Sequence, residues 1–444
     1  MATAIRLETW MNAMNDRARG WLMGATKALG FLFALNVFFV AIKLLGAFKN
    51  LGSGYGEVLI QDLAQNPLMG LLVGILVTSI IQSSSTTTSI TVGLVAAGVL
   101  GDDPVIALKL AIPIIMGANI GTSITATLVS LGQASERAEF GRAFAAAVAH
   151  DAFNWFTVLV LLPIQVATNF LGHGALFMAR ALQGMGGLKF TSPLKYLVDP
   201  QAKLVNGWFH DAPGLVQFVV VLALAFIFFN ASTWLAKRVR DDKRTAVFVF
   251  LFSVAVAGIA TFVSRFAEYV FDSTTAIFLV GLGLLFVALA SIVGIMRSVV
   301  LDRVQRVFDA YIFRTGLRAL LLGTVLTALV QSSSVTTSLV VPLAGAGLLS
   351  LRQILPYTMG ANVGTTITAI LAALSLGELT GVAVAFAHLL FNICGIAIFW
   401  PLQRVPLWAA EKMGQLATRH PAWPVIIVLV AYLGLPIAAV ILSR

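Results

Sequence analysis

The chain has 444 residues, 59% of them hydrophobic and only 11% charged, a balance that excludes a soluble globular fold because that much apolar surface cannot be hidden from water. The formal charge of +10 does not indicate a nucleic-acid surface, since the basic residues sit in short loops between apolar segments, as the positive-inside bias predicts for a membrane protein. The single cysteine, Cys394, lies in an apolar run and excludes an intramolecular disulfide.

Many segments approach the ~20 apolar residues that cross a bilayer as a helix, and none shows the short alternating strands of a membrane barrel. The fold class expected is an all-α polytopic membrane protein. The residues through about Gly20 are amphipathic and charged and predict an interfacial helix on the cytoplasmic side. Leu29–Leu45 is a first spanning helix, followed by a polar connection over Asn50–Asn66. An apolar segment from Pro67 to Leu100 is then interrupted by Gln82-Ser83-Ser84-Ser85-Thr86-Thr87-Thr88-Ser89. Ile106–Leu131 carries a second polar break, Gly117-Ala118-Asn119-Ile120-Gly121-Thr122-Ser123. Glu136 and Glu139 belong to a solvated loop, and Ala143–Phe170 is apolar except for His150, Asp151 and Asn154. Leu171–Pro213 reads as the longest polar connection.

Three ordinary spans follow, Val216–Leu235, Val247–Val263 and Ala276–Met296. The basic block Lys237–Arg244 and the arginines from Arg297 to Arg318 fall on the cytoplasmic side, and the acidic loop Arg265–Ser273 outside. The second half then repeats the first. Gln331-Ser332-Ser333-Ser334-Val335-Thr336-Thr337-Ser338 lies 249 residues after its counterpart, Gly360-Ala-Asn362-Val-Gly364-Thr365 lies 243 after, and His388…Asn392 lies 238 after His150…Asn154. Val425–Leu442 is a final span. With a cytoplasmic N-terminus, the same pattern enters the membrane from opposite faces in the two halves, so the expectation is two inverted-topology repeats with interrupted helices, discontinuous or re-entrant.

Such breaks have a chemistry. Serine, threonine, glutamine and asparagine supply neutral oxygens for a hard cation such as sodium, and freed carbonyls supply more. Half-helix N-termini attract an oxyanion. No lysine or arginine lies within either motif. A bound anion would then be neutralised by co-bound cations and dipoles, each lowering the other's desolvation cost. A lone serine pair in a spanning helix commonly caps a carbonyl or eases helix packing; eight polar positions led by glutamine, present twice, point to a site. The Gly117/Gly121 and Gly360/Gly364 spacings also suit plain helix packing. His150 and His388 are intramembrane ionisable groups, which equally tie helices together. Asp151 has no acidic counterpart, since Leu389 fills its place in the second repeat, and it is a candidate for a charge role confined to one half.

The doubled Gln-Ser-Ser-Ser motifs, Pro113–Thr122, Arg142–Ala145 with His150–Trp155, Thr365–Leu374 and His388–Gly395 resemble the type II sodium-dependent inorganic phosphate cotransporters, in their bacterial form. The similarity runs from about Leu29 to Pro401. It implies a symporter of sodium and inorganic phosphate, not an enzyme, with sodium as coupling substrate and no cofactor. It places phosphate and sodium on Gln82, Ser83, Ser84, Ser85, Gln331, Ser332, Ser333 and Ser334, the metal ion on Gln82, Ser83, Gln331 and Ser332. Thr86, Thr87, Thr336 and Thr337, Asn119 with Thr122, and Asn362 with Thr365 and Thr366 join that set. His150, Asn154, His388 and Asn392 support it. Leu171–Pro213 lacks the cysteines and the Asn-x-Ser/Thr acceptors of the animal members' large loop, which points to a bacterial inner membrane.

The expected division is an N-terminal segment with the first span (1–66), a first transport repeat (67–170), a connecting loop with three spans (171–318), a second transport repeat (319–402) and a C-terminal segment with the final span (403–444). Phosphate, sodium and the bilayer are the partners expected, with no nucleic acid and no required protein. A sodium-independent oxyanion channel or exporter is the alternative. An intramembrane serine hydrolase is disfavoured because no Gly-x-Ser-x-Gly elbow occurs.

Overall fold

The structure is a computed structural model that describes residues 16–44, 66–133, 136–184, 200–204, 315–420 and 422–442, with residues 283, 284, 288 and 313. The three middle spans, apart from residues 283, 284 and 288 in the third, and the connection after Leu45 up to residue 65 lie outside the described residues. Everything described is helix and turn. In chain order the helices are α1 (Asp16–Leu44), α2 (Pro67–Ile81), α3 (Ser84–Ala96), α4 (Pro104–Gly121), α5 (Ile124–Ser130), α6 (Arg137–Thr168) and α7 (Phe170–Gly184). After the gap come α8 (Gly316–Val330), α9 (Ser333–Gly345), α10 (Leu351–Leu376), α11 (Leu379–Phe399) and α12 (Arg404–Arg419), then α13 (Ala422–Leu429) and α14 (Leu435–Leu442) joined by a π-helical turn, Val430–Gly434.

Among the described residues five stretches are long and apolar enough to cross a membrane: Pro104–Ser130, Arg137–Thr168, Leu351–Leu376, Leu379–Phe399 and Val425–Leu442. Their boundaries follow from local chemistry. Asn66 caps α2 through Leu68 N, with Pro67 at the first helical position. Asp103 caps α4 through Val105 N and Ile106 N, again with a proline next. Ser350 and Gln353 cap α10 reciprocally.

Between apolar helices in a membrane the hydrophobic effect gives little drive, so close backbone approach at small residues does the packing. α2 packs on α4 and α8 on α10 in matching fashion. A Cβ added at Gly74 would strike the Ile114 carbonyl oxygen, and one at Gly117 that of Leu71. In the second half, Gly323 meets the Tyr357 carbonyl and Gly360 that of Leu320. The Gly-x-x-x-Gly spacings therefore do serve helix packing.

Two features differ from the sequence reading. The polar connection expected from Leu171 begins as helix: α7 runs from Phe170 to Gly184 and packs on α11, while α12 packs on α6. Each is an amphipathic helix that follows the last span of one half and lies on the last span of the other. Its mixed composition reads as a loop when only long apolar runs are sought. The second difference is at the Gly-Ala-Asn windows. α4 stops at Gly121 and α5 begins at Ile124, whereas α10 passes through Gly360–Thr365 without a break.

Gly360→Val should lower the melting temperature of the detergent-purified protein, since overpacking a tight contact costs about 1–3 kcal/mol. Gly434→Ala is the control: its Cβ meets nothing nearer than Val430 side-chain atoms at 3.8 Å, so the melting temperature should hold.

Candidate functional site

Both motifs bend the chain in the same way. Gln82 is left-handed (φ 59°, ψ 26°) and its N–H closes α2 on the Thr78 carbonyl at 2.7 Å. Gln331 has φ 58° and ψ 26° and closes α8 on the Thr327 carbonyl at 2.6 Å. These and Asn169 are the non-glycine residues with positive φ among those described. A left-handed glutamine carries a conformational cost, so its recurrence at two matching positions marks a site held by its surroundings. Ser83 then caps α3, accepting from Thr86 N at 3.2 Å, and Ser332 caps α9, accepting from Val335 N at 3.3 Å. Threonines pin each bend: the Thr78 hydroxyl donates to that of Thr87 at 2.8 Å, and Thr327 pairs with Thr336 at 2.6 Å.

The two bends meet. The Ser85 hydroxyl donates to the Gln331 carbonyl at 3.2 Å. Thr125 on α5 donates to Gln82 Oε1 at 2.8 Å and lies 3.5 Å from Ser334 Oγ. Gln82 Nε2 donates in turn to the Ser79 carbonyl at 2.5 Å. The serine caps of α3 and α9 thus lie at one locus, where first-turn amides have no intrahelical acceptor. Ser84, Ser85, Ser333 and Ser334 are buried there, and Gln331 Oε1 and Thr368 Oγ1 are buried without a hydrogen-bond partner. The donor set is neutral oxygen, suited to a hard cation beside an anion at two helix N-termini. Among the described residues no three histidine, cysteine, aspartate or glutamate side chains come together.

Other predicted hydroxyls are spent on their own helices. Thr122 donates to the Ala118 carbonyl and Thr365 to that of Ala361, both at 3.0 Å. Thr366 donates to Val363 O at 2.7 Å and Thr337 to Ser333 O at 2.7 Å. Thr86 donates to Ser83 Oγ at 2.8 Å. Here the plain helix-capping role describes what the structure shows.

Asn119 and Asn362 instead anchor a second layer that crosses between the halves. Asn119 Nδ2 donates to Asn392 Oδ1 at 2.8 Å, so Asn119 Oδ1 is the acceptor for His388 Nε2 at 3.2 Å. Asn362 Nδ2 donates to Asn154 Oδ1 at 2.7 Å, so Asn362 Oδ1 accepts from His150 Nε2 at 2.7 Å. Each imidazole therefore donates through Nε2, and both Nδ1 atoms are buried without a partner. Asn154 Nδ2 joins the two pairs through the Asn119 carbonyl at 3.0 Å and Ser123 Oγ at 3.2 Å. All six side chains of this network are buried.

Sequence reading missed four contributors: Thr78, Thr125, Tyr357 and Tyr432. Tyr357 donates to the Thr336 carbonyl at 3.0 Å. Tyr432 donates to the Asp151 carboxylate, and the Ser123 hydroxyl hydrogen-bonds the same group. A threonine 43 residues beyond Gln82 carries no local signal of that contact.

The chain matches the Na+/Pi-cotransporter family over residues 31–190 and 284–399, which takes in both motifs and both Asn–His pairs. The chain belongs to this family. Among its relatives are the sodium-dependent phosphate transport protein 2A of Rattus norvegicus, 34% identical over 92% of this chain and 66% of the relative, and protein 2B of Bos taurus, 34% identical over 93% and 63%. Protein 2B of Homo sapiens is 34% identical over 94% of this chain and 64% of its own length. The chain spans about two thirds of the length of these relatives. No solved structure matches it. The match to the family model ends at Phe399, ahead of α12 and the last span.

The Asn–His layer predicts strong coupling. Asn154→Ala and Asn362→Ala should each destabilise the detergent-solubilised protein, and the double variant by less than their sum, with an interaction of about 0.5–3 kcal/mol. Additive losses in chemical denaturation would show the layer to be two separate contacts.

Proposed function

We propose that this protein is a secondary active symporter that couples sodium entry to inorganic phosphate uptake by alternating access. The observation that carries the reading is the meeting of two glutamine bends and two serine-capped helices, through Ser85 with the Gln331 carbonyl and Thr125 with Gln82, in a chain of the Na+/Pi-cotransporter family. Phosphate sits at the N-termini of α3 and α9, receiving hydrogen bonds from first-turn amides and from Ser83, Ser84, Ser85, Ser332, Ser333 and Ser334. Sodium is held by the oxygens of Gln82, Ser83, Gln331 and Ser332 and by nearby carbonyls. No lysine or arginine belongs to either motif, so sodium offsets the phosphate charge, and each ion raises the affinity for the other. The bare Oε1 of Gln331 fits a site that a cation completes.

Alternating access follows from inverted-topology repeats, 67–170 and 319–402, whose interrupted helices face the site from opposite sides. The near-identical dihedrals at Gln82 and Gln331, and the matched glycine contacts, support that reading. Rocking or gating of one half against the other then opens the same site to either face. Asp151 is a buried acidic group whose counterpart in the second half is Leu389, and it takes part in ion coupling in the first half. The chain sits in a cell membrane with its N-terminus on the cytoplasmic side, and its partners are phosphate, sodium and the bilayer.

Purified protein in proteoliposomes should accumulate labelled phosphate uphill under an inward sodium gradient and not under potassium or choline. Gln82→Ala or Gln331→Ala should abolish that uptake while size-exclusion profile and melting temperature are retained. Flux that merely equilibrates, with or without sodium, would establish a channel or uniporter. Wild-type transport by both folded variants would remove the two glutamines from the site.

A further inference from the structure

The last span is the most outward-facing of the five, with 17% of its window buried against 56–72% for the others. Its buried positions are Val428, Tyr432 and Pro436, a stripe one residue wide at i, i+4, i+8 spacing. Packing alone asks only for apolar residues on such a stripe. A buried hydroxyl costs desolvation unless it finds a partner. Tyr432 finds one in Asp151, the acidic side chain buried in α6. No ion pair to Asp151 occurs among the described residues; its side-chain contacts are the Tyr432 and Ser123 hydroxyls.

Two further observations show that the contact is built. α6 grips the tyrosine at two points one turn apart: Asp151 takes the hydroxyl, and Trp155 packs edge-on against the ring, with centroids 6.4 Å apart and planes at 86°. Tyr432 also lies in the π-helical turn Val430–Gly434, a departure from regular helix that re-aims a side chain and recurs at functional positions. The same turn and α14 pack on α2, the helix that ends at Gln82. On its other side, Ser123 joins Asp151 to Asn154 and so to the Asn–His layer.

We propose that Tyr432 is a positioning residue for ion coupling: its hydroxyl holds the Asp151 carboxylate in place, so that the last span belongs to the coupling machinery as well as to the lipid-facing surface. The hydroxyl is a neutral donor. It orients the carboxyl group and satisfies one of its lone pairs without supplying a counter-charge, so that the place of a partner cation is not already taken by a protein cation. The inference rests on the sodium-coupled reading above; Asp151 lies inside the stretch matched by the family model and Tyr432 beyond its end.

Tyr432→Phe removes the hydroxyl and keeps the ring against Trp155. In proteoliposomes the variant should need roughly tenfold more sodium for half-maximal phosphate uptake, the loss expected for one hydrogen bond to a charged group. Its maximal rate per reconstituted protein should stay near that of the parent, and its sodium-free melting temperature should fall somewhat, because the hydrogen bond is present without sodium. The rise of melting temperature with added sodium, read in detergent, should shift to higher sodium in parallel and gives a second measure that needs no transport. Sodium curves that overlay the parent's overturn the inference. A lower maximal rate or melting temperature with no change in sodium requirement also overturns it, since a purely structural anchor behaves that way. Parent protein that transports phosphate without sodium would remove the sodium-coupled reading first and this inference with it, whereas sodium-driven parent uptake with an unshifted variant removes this inference alone.

Discussion

A helix that stops inside hydrocarbon leaves amides and carbonyls that water cannot reach, and each must find a partner in the protein. That constraint organises the described structure. At Gln82 and Gln331 the chain stops and restarts within two residues, and the groups set free are met partly by the motif itself and partly by the other half. Ser83 and Ser332 each satisfy one amide of the helix they begin. The Gln331 carbonyl takes the Ser85 hydroxyl from across the junction. The amides left over are donors of the kind an anion takes up at a helix N-terminus, so the break that threatens stability is also the place with free hydrogen-bonding capacity.

The Asn–His layer answers a related problem one level deeper. Amide side chains in an apolar interior are tolerable only when both their donors and their acceptors are used. Asn119 and Asn362 meet that demand by reaching into the opposite half, each taking a histidine and an asparagine there. The exchange makes the halves interdependent. It also shows where they differ: Asn154 binds the Asn119 carbonyl and Ser123 at the gap between α4 and α5, while Asn392 binds the His388 carbonyl of its own helix beside the unbroken α10. Near-identical sequence patterns thus hold two different local states.

How much of this was legible in the sequence depends on the range of the signal. The bends at Gln82 and Gln331 and the apolar spans stood out because a polar run inside an apolar segment is a local anomaly. The repeat was legible because motifs recur in order. Which hydroxyl serves a site and which serves its own helix was not legible: Thr122, Thr365 and Thr366 look no different in sequence from Thr125, yet they bond their own backbone while Thr125 bridges Gln82 and Ser334. Helix rotation decides that, and sequence spacing within one segment does not fix rotation relative to a neighbour. α7 and α12 were hidden because mixed amphipathic stretches resemble loops when hydropathy is averaged.

Tyr432 shows the limit of reading residues by class. A tyrosine in a terminal span ordinarily suggests an aromatic at the membrane interface, where its hydroxyl reaches water. Here it is buried, and its hydroxyl ends on Asp151. The aspartate and the tyrosine explain each other. An unpaired carboxylate in a spanning helix is costly, and an unpaired tyrosine hydroxyl on a lipid-facing helix gains nothing from burial. Together they fix the rotation of the last span on α6 and bring α2, which ends at the first glutamine bend, into the same packing as the helix that carries the buried aspartate. An element that hydropathy alone assigns to the lipid boundary is thereby joined through a single hydrogen bond to the polar centre of the molecule.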